Sequence, residues 1–260
     1  MVRVMNYNIH HATEDNLKKI ANFARSREMD ILGVLEAEDW KENDGVVLKQ
    51  FSNDSSLPYN FFAKANTRHN LALFAKKAPL EISQLTEGLW HTMILAVYTS
   101  QSLGDIAFGL LHLSPKDEDT RLAELKKILD FVKPFEHCVL MGDFNSLSPR
   151  DPYDRKKLLA TFQKMNLTKF GDSVLRFDCV EFLDQHGFVD AAYSLGRAFA
   201  PTVPTTSNQD LAHAVPLRLD YTFVSSALVP FLSNVEIIKN EITDSMSDHY
   251  PLVADFSFSF

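Results

Sequence analysis

Short apolar runs, most of them ended by a single polar or charged residue, recur from one end of this sequence to the other. The residues that end them form an ordered series: Asn8, Glu36, His112, Asp143 with Asn145, Asp220, then Asp248 with His249. Runs this short read as strands, and a strand end is where the chain leaves the core for a loop. The series therefore sets carboxylates, amides and imidazoles on loops at sheet edges, where a divalent metal and a phosphate could meet them.

The pattern between these points predicts the rest of the frame. Residues 3–8 read as a strand. Thr13 is placed to cap a helix with Glu14 and Asp15 in its first turn. Leu17, Ile20, Ala21 and Ala24 then form one apolar face, and 31–35 is a buried strand. This β-α-β opening is the signature of a layered α/β arrangement. Further strands are expected at 70–75, 93–99, 106–113, 139–141 (stopped by Gly142), 219–225 and 235–239. Helices are expected at 155–165, at 177–186 (closed by Gly187), and from a Thr120 cap to Pro134 with Leu122, Leu125, Ile128, Leu129 and Val132 on one face. Phe256, Phe258 and Phe260 alternate with Ser257 and Ser259 as in a half-buried strand. Many strands and few helices point to an α/β sandwich of two mixed sheets with helices outside.

With 45% apolar residues and 20 Phe the chain can build a substantial core. No linker, repeat or composition break divides it, so 1–260 is read as one domain, by default a monomer. Its apolar runs fall far short of the ~20 residues of a membrane span. The start lacks the apolar stretch of a signal peptide, which makes a cytoplasmic location the expectation. Cys138 and Cys179 lack CxxC spacing, so neither a disulfide framework nor a thiolate zinc site is expected. The net charge of −8 weighs against broad electrostatic binding of nucleic acid. Glu36, Asp143, Asp220 and Asp248 would hold half of that charge in one pocket. Arg68, His69, Lys76 and Lys77 offer a local basic rim.

Each candidate also has a plainer reading. Gly142-Asp143-Phe144-Asn145 is a polar turn or a carboxylate that takes a proton from water beside an amide donor. Asp220 faces solvent, pairs with Arg218, or serves a site by orienting His249. His249 is a surface turn residue or a phosphate clamp. His112 is a satisfied core histidine or a phosphate contact. Glu36 is a solvated strand end or a ligand for Mg2+ or Mn2+, which take oxygen donors. Glu38 and Asp39 are its rivals. His10 and His11 read as residues of the pocket lip.

Taken together, Asn8-Ile9-His10, Leu35-Glu36, His112-Leu113, Gly142-Asp143-Phe144-Asn145, Arg218-Leu219-Asp220-Tyr221 and Ser247-Asp248-His249 resemble the motif blocks of the endonuclease/exonuclease/phosphatase superfamily, in order and over essentially the whole chain. The block 70–79 resembles that family's strand before a small basic turn. The resemblance implies a DNase I-like, four-layer sandwich of two packed mixed β-sheets flanked by helices. It implies Glu36 as main metal ligand, helped by Asn8 and Asp248. Asp143 would orient or deprotonate water, and Asn145 and Asn8 would stabilise the transition state. His249, held by Asp220, would contact the phosphate, with His112 as a second contact. His10, Arg68, Asn70 and Arg218 are further candidates for substrate binding. His10 stands where nucleic-acid-directed members carry an acidic residue, which counts against abasic-DNA specificity.

The expected activity is a Mg2+- or Mn2+-dependent attack of water on a phosphodiester or phosphomonoester, small or lipid-linked. The alternative is a Mg2+-dependent nuclease. A non-catalytic binding domain of the same fold should have lost site residues, and here every principal position is filled. Loops at 39–59, 146–155 and 197–216 are expected to shape the rim.

Overall fold

The computed structural model describes residues 1–206 and 215–260. In chain order its elements are β1 (Val2–Asn8), α1 (Glu14–Ser26), β2 (Ile31–Leu35), α2 (Val46–Ser55), β3 (Tyr59–Ala63), β4 (Leu71–Ala75), β5 (Glu81–Leu85), β6 (Met93–Ser100), β7 (Gly104–His112) and α3 (Glu118–Val132). They continue with β8 (His137–Asp143), α4 (Arg155–Lys164), α5 (Asp178–Gln185), β9 (Phe188–Asp190), α6 (Ala191–Ser194), β10 (Asp220–Ser225), β11 (Leu232–Ile237) and β12 (Leu252–Phe256). The strands form two six-stranded mixed sheets, ordered β11-β12-β1-β2-β4-β3 and β5-β6-β7-β8-β10-β9. This is the expected α/β sandwich with flanking helices. Among the described residues no helix is long and apolar enough to cross a membrane.

Strand parity explains the layers. Successive side chains of a strand point to opposite faces. Val4, Ile31, Leu73 and Ala254 of the first sheet meet Ile94, Phe108, Leu110, Val139 and Val224 of the second in a central core. The alternate residues Met5, Tyr7, Leu32 and Phe74 pack outward with Ile20, Ala24, Leu48 and Phe51 of α1 and α2. On the far side Leu95, Leu140 and Phe223 pack on Leu125, Ile128 and Leu183 of α3 and α5. The sheets approach closely at Gly33, where a Cβ would come within 2.4 Å of Leu110 Cδ1.

The same parity aims the site. Asn8 continues the inward series of Val2 and Val4, His112 that of Phe108 and Leu110, Asp143 that of Val139 and Met141, and Asp220 that of Val224. Four polar side chains thus emerge from the central core at one end of the sandwich. The pairing of His112 and Asp220 opposite Asp143 on β8 brings three of them side by side.

Several expectations are corrected. The cap of α3 is Asp117, whose carboxylate accepts from Thr120 N at 2.8 Å. β8 is not stopped by Gly142 but runs through it to Asp143. The glycine is needed because a Cβ there would lie 1.9 Å from Leu111 O, at a φ of 142°. The last strand ends at Phe256. Phe258 is still buried beyond it and Ser257 and Ser259 exposed, so the alternation survives without strand pairing. The 39–59 stretch contains α2, which packs outside the first sheet and away from the site. The 146–178 stretch contains α4 and its own small core of Leu147, Leu158, Phe162 and Phe170 against Leu217 and Leu219. Both cysteines are buried and free.

Candidate active site

A cavity of about 470 Å³ opens where the four inward-facing strand ends meet. Asn8, Glu36, His112, Asp143, Asn145, Asp248 and His249 line it, with His10, His11, His69 and His91 on one side and Lys116 and Asn166 to Lys169 on the other. Nearly all of the floor is buried. The first sheet supplies Asn8 and Glu36, and the second supplies His112, Asp143 and Asp220. The loop entering β12 adds Asp248 and His249.

The Asn8 amide joins the two halves. Its Nδ2 donates to Glu36 Oε1 at 3.0 Å and reaches Asp143 Oδ2 at 3.4 Å. Glu36 adopts a φ of 64°, which turns its side chain back toward the cavity at the end of β2. Asn145 N donates to Asp143 Oδ1 at 2.8 Å and fixes that carboxylate. Asp143 Oδ2 then faces His112 Nε2 at 3.5 Å and His249 Nε2 at 3.9 Å. His249 Nδ1 donates to Asp220 Oδ2 at 2.7 Å, so the imidazole is anchored with Nε2 toward the cavity. Asp220 itself accepts nothing from Arg218. Ser247 Oγ donates to Asn8 O at 2.7 Å and receives His249 N at 3.3 Å, tying the β12 loop to β1. Tyr250 N donates to Thr202 O at 2.8 Å and Thr205 N to Asp248 O at 3.1 Å. The described part of 197–216 thus supports this loop, and 207–214 lies outside the described residues.

Burial and charge split the ionisable groups. Burial lowers the proton affinity of His249, but Asp220, Asp248 and Asp143 more than reverse this and push its pKa up to about 10. Burial pushes His112 down to about 4, with Glu36 opposing and His69 and His249 adding. Asp143 is pushed up by burial and by Asp220, against His249. Glu36 is pushed up by burial, but His69, His112 and Asn8 outweigh it and hold the carboxyl well below the usual range. The metal-free site at neutral pH therefore holds a charged His249 beside a neutral His112.

Three sequence-level substrate candidates fall outside the floor. Arg218 is buried, with Nη2 2.9 Å from Asp151 Oδ1 and Nη1 2.7 Å from Asp190 Oδ2, its guanidinium stacked on Tyr221. It borders a separate cavity with Arg150 and Tyr193. Asp151 hydrogen-bonds its guanidinium and Asp190 pairs with it, so it is held away from this site. Asn70 Oδ1 accepts from Ala65 N at 2.9 Å and closes the loop before β4. Arg68 is exposed at the rim, where its Nε lies 3.2 Å from Glu38 Oε1. His10 does reach the cavity, with Nδ1 3.6 Å from Asp248 Oδ2.

Among the lining residues that had no sequence signal, His91 and Lys169 touch residues of the floor. His91 is fully buried and stacks on His112 at 4.3 Å, while its Nδ1 is hydrogen-bonded to Thr67 Oγ1 at 2.6 Å. Lys169 Nζ donates to Asn145 Oδ1 at 3.3 Å. Of the 146–178 stretch it is 166–169, rather than 146–155, that forms the cavity wall. Arg121, fully buried on α3, holds this wall through Lys169 O and is itself paired with Glu118 at 2.7 Å.

Residues 5–249 match the model of the Endonuclease/Exonuclease/phosphatase family. Among solved structures, a 3′ phosphatase from Neisseria bound to product DNA hairpin is similar at 16% identity and a TM-score of 0.72, with 98% of this chain and 99% of that one covered. An AP endonuclease from Archaeoglobus fulgidus is similar at 16% identity and 0.69, over 98% and 99%. A mannosyl-6-phosphatase from Bacteroides thetaiotaomicron is similar at 13% identity and 0.64, over the full length of both. No curated protein matches the sequence.

Proposed function

Because the chain belongs to the Endonuclease/Exonuclease/phosphatase family, we propose that it is a divalent-metal-dependent phosphoester hydrolase acting on a small or lipid-linked substrate. The observation that carries this reading is the Asn8 amide set between Glu36 and Asp143, beside an imidazole anchored on buried Asp220.

Glu36, Asn8 and Asp248 would hold the metal. Glu36 Oε2 is a buried oxygen without a hydrogen-bond partner, and an all-oxygen donor set suits Mg2+ or Mn2+. When bound, the ion neutralises phosphate charge and eases departure of the leaving oxygen. Asp143 accepts the proton of the attacking water, and its raised proton affinity makes it a stronger base than an ordinary carboxylate. Asn145 N keeps that carboxylate from turning away. His249, held charged by the surrounding carboxylates, donates from Nε2 to a phosphate oxygen, with Asp220 fixing its orientation. Neutral His112 provides a second contact. The amide of Asn145, one of whose hydrogens rests on Leu113 O, keeps the other for the charge that builds on the equatorial oxygens, whereas both Asn8 hydrogens are engaged by Glu36 and Asp143, which fits Asn8 to positioning those carboxylates. Lys169, beside Asn145, adds positive charge on the open side.

A cavity of about 470 Å³ in a chain of net charge −8 suits a small phosphorylated group better than a long polyanion. The test is product release from sugar phosphates including mannose 6-phosphate, inositol phosphates, phosphodiester lipids, abasic DNA and single-stranded nucleic acid. Each is run with Mg2+, Mn2+ or chelator, and with Asp143→Ala. Metal-dependent release from a small or lipid-linked member, lost in the variant, is the expected result. Preference for a nucleic acid would replace the substrate class. Turnover that survives chelation and Asp143→Ala would overturn the reading.

A further inference from the structure

Beyond the floor of the cavity, donors converge at its mouth. His11 and Glu38 come from the loops after β1 and β2, and His69 from the loop before β4. His11 Nδ1 lies 2.7 Å from Glu38 Oε2. His69 Nδ1 lies 3.0 Å from Glu38 Oε1 and 3.4 Å from Glu36 Oε2. One donor atom from each of His11, Glu38 and His69 falls within 4.8 Å of the other two. Neighbouring ligands of a tetrahedral ion bound at about 2.1 Å stand roughly 3.4 Å apart, so these groups already lie as close as one shell requires and need only part slightly to admit an ion.

A second observation concerns saturation. Glu36 Oε2, Glu38 Oε1 and His69 Nδ1 are all shut off from solvent, and none makes a hydrogen bond of good geometry. The Glu36 side chain is only 10% exposed. Buried polar atoms without a well-formed hydrogen bond are few in native proteins, and each calls for a cause. Here the imidazole nitrogen pairs with both carboxylate oxygens in poor hydrogen-bond geometry, and a cation shared among the three atoms would satisfy them where these contacts do not.

We infer that His11, Glu38 and His69 form a second cation site at the mouth of the cavity, for zinc or a similar borderline dication, with Glu36 bridging it to the floor. Two imidazoles and a carboxylate favour such ions over Mg2+, which prefers oxygen alone. Coordination requires a lone pair on each Nδ1, so with the ion bound each ring would carry its proton on Nε2, and His11 Nε2 would give up the 3.4 Å contact it now accepts from Arg68 Nη2. Arg68, whose side chain is 71% exposed, swings from Glu38 into solvent as the ion enters. The inference is independent of the hydrolase reading, since a cation can bind here whether or not water is activated below it.

The experiment is a titration of the metal-free full chain with Zn2+ by calorimetry and with Co2+ by visible absorption, which reports imidazole-containing, low-coordinate sites. Two equivalents are expected. Glu38→Gln and His69→Ala should each weaken one of them by roughly 100-fold and remove the absorbing Co2+ species. His11→Ala, at an exposed position, repeats the result with little risk to folding. Asp248→Asn should weaken the other equivalent and keep the absorption. Zn2+ binding and Co2+ absorption that the mouth variants leave undiminished, or no equivalent sensitive to Glu38→Gln and His69→Ala, overturns the inference. Two bound equivalents without turnover on any phosphoester would instead remove the proposed function and leave the site.

Discussion

The floor and the mouth of the cavity are built by different means. Floor residues sit at the ends of strands whose apolar neighbours are locked in the central core, so Asn8, His112, Asp143 and Asp220 are aimed by backbone register. Mouth residues sit on loops. His10 and His11 both have positive φ, and the 65–70 loop is closed by the Asn70 side chain rather than by a ladder. Catalytic constellations need the first kind of support, because small displacements of reacting groups are costly. A lip that admits ligands tolerates the second.

The sharpest way to break this contrast is at Asp143. Asp143→Ala should lower kcat by about 10^4-fold, the upper range for a lost general base, while leaving the fold intact by circular dichroism. Turnover within tenfold of wild type would remove Asp143 from the floor's chemistry. Gly142→Ala tests backbone aiming. With a Cβ 1.9 Å from Leu111 O at this φ, unfolding free energy should drop by about 4 kcal/mol or more in urea titration. A mild effect would mean that the end of β8 yields easily.

Protonation separates the two imidazoles of the floor. A raised pKa keeps an imidazole charged as pH climbs, and a lowered one keeps it neutral as pH falls. In the metal-free protein, nitrogen NMR should find His249 still protonated at pH 8, since its value is about 10. It should find His112 still neutral at pH 6, since its value is about 4. The reverse assignment would contradict the charge pattern drawn for the site. The smallest expected effect is at the mouth. Asn70→Ala removes one side-chain hydrogen bond and should cost about 1 kcal/mol in the same urea measurement. A loss as large as that of Gly142→Ala would show that the mouth is as firmly built as the floor.

What the sequence disclosed follows the same division. Asn8, His112, Asp143 and Asp220 were legible because each stands at an end of, or breaks, a short apolar run, and those runs are apolar because both faces of their strands are buried. The two-sheet sandwich was legible for the same reason. β3 and β5 were not, because both lie at sheet edges, where half-exposed side chains carry little alternation. Arg218 was read toward the site because only its neighbour Asp220 is visible in sequence. Its true partners, Asp151 and Asp190, arrive from distant segments. His91 and Lys169 escaped because their places depend on tertiary contacts, one with the His112 ring and the other with Asn145.

The position of Asn8 has one more consequence. Its single amide touches a carboxylate of its own sheet and one of the opposite sheet, so the distance between Glu36 and Asp143 is set by how the two sheets are docked. Turnover then serves as a gauge of inter-sheet alignment. Substitutions in the sandwich core, at Gly33 or Leu110 for instance, which do not line the cavity, should register in kcat through a shift of one half of the site against the other. During refolding, activity should be the last property to return, because neither sheet alone carries a working fraction of it.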